Sequence, residues 1–161
     1  MRLIPALAML LFVLPAAATA TDLIGTIVPP YPEGTESRMG QCIEDASGDI
    51  CAFSVSTLNA NDGTVVAILA KALSHRVEGT AHWHVLDVHD APQLEEGQMW
   101  AIEECVKDGT PDPATIGIVA YRDMGGWIET GETVWAIRFD RESQKLTELD
   151  PDAVECILPG S

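Results

Sequence analysis

Basic residues are scarce in this chain: nine Lys and Arg stand against 25 Asp and Glu, a formal net charge of −16. Such a deficit repels phosphate backbones and anionic membrane surfaces, so nucleic-acid binding is disfavoured and dissolved cations or cationic proteins are the favoured partners. Long apolar runs are also lacking, since none beyond the first 20 residues approaches the roughly 20 residues of a spanning helix. There is no C-x-x-C pair to poise a reactive thiol, no G-x-S-x-G elbow and no D-x-[DN]-x-[DN]-G calcium loop. "DMGGW" fits neither a P-loop nor a dinucleotide fingerprint. No internal repeat or low-complexity tract occurs. With these signatures missing, the expectation is a protein without catalytic activity.

What is present begins with residues 1–20, "MRLIPALAMLLFVLPAAATA", which carry one basic residue, an apolar centre and a small-residue end. That is the layout of a secretory signal peptide, expected to be cut after Ala20. Removing 20 of the 161 residues leaves 141, with all 25 acidic and eight of nine basic residues, net −17. This length suits one domain with a real core. Cys42, Cys51, Cys105 and Cys156 are even in number, so two disulfides are expected in an exported, periplasmic or secreted protein. Three pairings are open, and Cys42–Cys51 with Cys105–Cys156 is favoured because "CIEDASGDIC" places the turn formers Ala46 to Asp49 between its cysteines.

Residues 21–41 contain Pro29, Pro30, Pro32 and Gly34 and read as an irregular arm, a tether more than core, ahead of a single globular domain over 42–161. "CAFSVSTL" alternates with a period of two, as a half-buried strand does, and Asp62-Gly63 is a hairpin signal. "TVVAILAKALSHRV" reads as a long strand with "HWHVLDV" as its antiparallel partner. "TIGIVAY", "TVWAIRF" and "KLTEL" follow as further strands, with "WIETGE" a brief extended piece ending in another turn. The fold class is therefore mainly β: an antiparallel meander, sandwich or small barrel. A helix within 64–77 or 92–106 would make it α+β. Trp83, Trp100, Trp127 and Trp135 read as core and edge aromatics.

Three of the four histidines lie in "AHWHVLDVHD". On a strand His82 and His84 share one face, with Trp83 and Val85 on the other, and two imidazoles at i and i+2 can converge on zinc or copper. Such H-x-H strands are similar to those of cupins and copper-zinc superoxide dismutases, over three residues. His75, His89 and Asp90 are the candidate further ligands, with Asp87 on the opposite face of a regular strand. A two-residue connection at Glu78-Gly79 would set His75 across from His82, whereas a three-residue loop would set Ser74 there. Turn chemistry favours the second.

From Asp87 to Asp112 there are eight carboxylates and one basic residue, Lys107. Asp87, Asp90, Glu95, Glu96, Glu103 and Glu104 are the candidate docking face for a cationic protein. In size, charge and crosslinking the chain is similar to small exported inhibitors of basic cell-wall hydrolases, a likeness of class alone. The expectation is thus an exported acidic binding module. A His-x-His metal protein is the alternative, and a hydrolase with an unrecognised site the third reading.

Overall fold

The computed structural model describes residues 23–60, 65–77, 80–102 and 104–158, with residues 60 and 65–77 described by their backbone alone. Its elements are almost all strands in antiparallel pairs. β1 (Ile27–Val28), β2 (Thr35–Ile43), β3 (Phe53–Ala60), β4 (Val65–Val77) and β5 (Thr80–Asp90) form a first sheet in the order β1-β5-β4-β3-β2. β6 (Gln98–Ile102), β9 (Thr115–Asp123), β10 (Ile128–Asp140) and β11 (Lys145–Leu149) form a second, ordered β11-β10-β9-β6. β7 (Cys105–Lys107), β8 (Thr110–Pro111) and β12 (Val154–Cys156) make a small third sheet. The stretches that allowed a helix are strands at 65–77 and 98–102, and a 3-10 turn over Pro151–Ala153 precedes β12.

The two large sheets face each other across the main core. Alternation in the sequence explains its membership: Phe53 and Val55 of β3, Ile116 and Ile118 of β9, and Ile137 and Phe139 of β10 are every second residue of their strands. The first sheet's outer face carries a separate cluster, Leu23, Val28, Leu58 and Val85, with Tyr31, Trp83 and Val88 packed against it. Part of the predicted arm therefore belongs to the core, and its residues 35–41 begin β2, which pairs with β3 from Thr35 to Ile43. The prolines occupy the connection between β1 and β2, where no ladder hydrogen bond is needed.

On the outer face of the second sheet, Ala101, Val119 and Ala136 meet Cys105, Val154, Cys156 and Leu158 of the third layer. Ala101, Gly117 and Ala136 lie in one cross-strand row. A Cβ at Gly117 would stand 2.9 Å from Cys156 Sγ and 3.0 Å from the Trp135 carbonyl. This row of minimal side chains is the seat of the buried Cys105–Cys156 disulfide. The other disulfide joins Cys42 to Cys51 around an exposed loop. Both are the expected pairings, and they belong to an oxidising environment.

From Ile128 onward "IETGETVWAIRF" is one strand, not two pieces with a turn between them. β10 runs through it with register shifts between Thr130 and Trp135. Gly131 lies in the irregularity, where a Cβ would approach the Ala120 carbonyl to 3.1 Å. A glycine inside a strand marks a bulge or a close backbone approach as readily as a turn.

Candidate functional site

The histidine strand β5 is irregular in two places, and both decide what its side chains can do. Near the hairpin mouth β4 and β5 pair Val77 with Thr80 and Arg76 with Ala81, which is the register of the two-residue connection rather than the favoured three-residue loop. The next regular pair is Ala72 with Trp83, so three residues of β4, Leu73, Ser74 and His75, stand against His82 alone. Register over strands of thirteen and eleven residues is fixed by their whole ladder, and a local turn preference yields to it. His75 lies where only the backbone is described. His84 is exposed and His82 half-buried.

The second irregularity falls between Leu69–Asp87 and Ala70–Val85, leaving Leu86 as an extra residue. Leu86 packs into the core between the large sheets, while Val85 and Val88 pack outside. The bulge thus breaks the alternation and turns Asp87 inward beside Leu86, contrary to the regular strand assumed from sequence. Asp87 Oδ2 accepts the Leu146 backbone N–H at 2.9 Å, and Oδ1 pairs with Lys145 Nζ at 3.0 Å. Buried and engaged through both oxygens, Asp87 buttresses β5 against β11 and leaves the proposed docking face.

Asp90 is exposed at the far end of β5. Six residues of extended chain from His84 span roughly 20 Å, too far for one ion to take both. His89 belongs to a different cluster: its Nε2 is 3.7 Å from Glu148 Oε1, which also accepts the Trp135 indole N–H at 3.1 Å. Trp135 in turn meets Trp100 edge-on, with ring centroids 5.7 Å apart. Among the described residues no group of three His, Cys, Asp or Glu is placed to hold a metal ion. A cavity on the outer face of the first sheet is lined by Val28, Tyr31, Trp83 and the small residues Gly40, Ser54 and Ser56, among others.

Of the remaining acidic candidates, Glu95, Glu96 and Glu104 are exposed, and Glu103 lies outside the described residues. Glu95 and Glu96 sit in a turn closed by the Gln98 N–H to the Glu95 carbonyl and by the Gln98 side chain to the Glu95 N–H. Asp112 has a different task. Its burial alone would raise its pKa, but hydrogen bonds from Arg138, Thr115 and the Ala114 N–H, with the Arg138 charge, hold it below the usual carboxylate range. The Arg138 Nε to Asp112 Oδ2 distance is 2.5 Å.

Among the described side chains, all the basic ones but Arg141 are consumed within the molecule. Arg38, Lys107, Arg122, Arg138 and Lys145 each form an ion pair with one of the protein's own carboxylates. Sequence reasoning missed one feature of this surface. Trp127 is exposed at the tip of the β9–β10 hairpin beside exposed Met124, not in the core or at a sheet edge. The available signal was the Gly-Gly between them, a tight turn that leaves its flanking side chains no sheet to cover them.

No protein-family model matches this chain, and no curated protein or solved structure matches it.

Proposed function

We propose that this protein is an exported, non-catalytic binding module that docks on a cationic protein in an oxidising compartment. The supporting observation is the charge balance of the described surface. Five basic side chains are tied up in ion pairs, while Asp90, Glu95, Glu96 and Glu104 face solvent without one. Carboxylates left in this state project a negative field that speeds and orients encounter with a positive surface. The two disulfides and the signal-like first 20 residues support the export part of the reading.

The test is affinity for a panel of small basic proteins, with acidic proteins of matched size as controls. Binding should be restricted to the basic set. It should weaken steeply between about 0.01 M and 1 M salt, as the screening length falls from about 30 Å to about 3 Å. His82→Ala should leave it unchanged. Salt-independent affinity, or equal binding to the acidic controls, would remove the proposal.

A further inference from the structure

The exposed apolar side chains of the second sheet gather at one end of it. Trp127 is 53% exposed and Met124 46%, both in the four residues that join β9 to β10. Met99, also exposed, pairs with Val119 on β9 and so shares the face of Val119 and Tyr121. The acidic turn lies alongside: Gly97 accepts the Tyr121 N–H at 2.8 Å, and Gln98 pairs with Ala120. Glu95 and Glu96 therefore flank the root of the hairpin whose tip carries Trp127, with Asp123 at its neck.

The tip is held in shape by its own hydrogen bonds. The Met124 N–H donates to the Trp127 carbonyl at 3.0 Å, and Asp123 Oδ1 accepts the Gly125 N–H at 2.8 Å. Gly125 and Gly126 have φ of 77° and 141°, conformations that side-chain-bearing residues resist. Below the tip, Arg122 and Glu129 pair across the two strands at 2.9 Å. A tip already fixed loses little conformational freedom on binding, and tryptophan is among the side chains that contribute most at interface centres.

We infer that this end of the second sheet is the docking surface: Trp127 and Met124 enter an apolar pocket of the partner, whose basic rim meets Glu95, Glu96 and Asp123. The inference rests on the reading of the protein as a binder of cationic partners and names the residues that do the binding. A second copy of the chain is the poorer occupant, because it would bring a like-charged rim against this one.

The probes are two labelled peptides of about 18 residues, an amphipathic Lys/Leu helix with its leucines on one face and an oligolysine of at least equal charge. The Lys/Leu peptide should bind the intact protein more tightly than oligolysine does. Trp127→Ser with Met124→Ser should weaken it about thirtyfold, the effect of losing one strong interface anchor. The same substitutions should leave oligolysine binding and the denaturant midpoint unchanged. Glu95→Gln with Glu96→Gln should weaken both peptides. If both bind and the tip substitutions weaken neither, the docking surface is wrong and the cationic reading stands. If neither binds, both fall. Self-association of the intact protein that is abolished by Trp127→Ser would overturn the inference in favour of a second copy.

Discussion

The two disulfides sit in opposite kinds of surroundings. Cys42–Cys51 closes a loop of sequence separation 9 at the surface, whereas Cys105–Cys156 spans 51 residues and is buried against the second sheet. The first loop has a second means of holding its shape. Asp45 Oδ1 accepts from the Ser47 hydroxyl and from the N–H groups of Ser47 and Asp49, and these bonds, the Ser47 hydroxyl foremost, lower its pKa. The second is supported across the chain: the Cys156 N–H donates to the Thr133 hydroxyl and the Leu158 N–H to the Thr130 hydroxyl, both at 3.1 Å. β7 and β12 pair over three residues and reach the main body through Cys105, Val154, Cys156 and Leu158. A local crosslink reinforces a turn the sequence already favours, while a distant one ties two short strands, far apart in the chain, onto the second sheet.

The largest expected effect breaks the distant crosslink. Replacing Cys105 and Cys156 by alanine should cost about 4 kcal/mol on the chain-entropy model, read as a lowered urea midpoint. Replacing Cys42 and Cys51 should cost no more than about 2.7 kcal/mol, and the Asp45 turn should survive, visible as retained exchange protection at the Asp49 N–H. Asp87→Ala tests the seam between the large sheets. It leaves the Leu146 N–H without its acceptor, for about 1–3 kcal/mol of stability in the same measurement.

Gly117→Ala sharpens the comparison. Its added Cβ would press on Cys156 Sγ, with a penalty of about 1–3 kcal/mol. That penalty should shrink in the background lacking Cys105 and Cys156, and an unchanged penalty would show that the Trp135 carbonyl, not the disulfide, sets it. The smallest effect concerns pH. Asp112 has its folded pKa depressed, so its stabilisation is full above the unfolded value near 3.9 and is lost as pH falls through the lower folded value. In Asp112→Asn the loss of stability between about pH 5 and pH 2 should be smaller than in the unaltered protein.

Much of this architecture was legible because its rules are local. The period of two in "CAFSVSTL" gave β3 its core face, and the turn formers inside "CIEDASGDIC" indicated the first disulfide. What escaped depended on partners distant in the chain. Gly131 reads as a turn until β9 is set against it, and Leu23 and Val28 read as tether until Val85 is beside them. Asp87 counted among surface acids because no glycine or other local signal marks the bulge at Leu86. Trp127 was assigned by residue type, and type could not tell a tryptophan under a sheet from one at the tip of a hairpin.

The pairing pattern also has a consequence in time. On the proposed export the chain would emerge N-terminus first, so that of these four thiols Cys42 and Cys51 come first and are each other's native partners. Cys105 then waits for 51 more residues before Cys156 arrives. An oxidant that joins cysteines strictly in order of appearance makes both native bonds and no wrong one. The third layer then acts as a latch that cannot engage until Cys156 has followed Cys105 out.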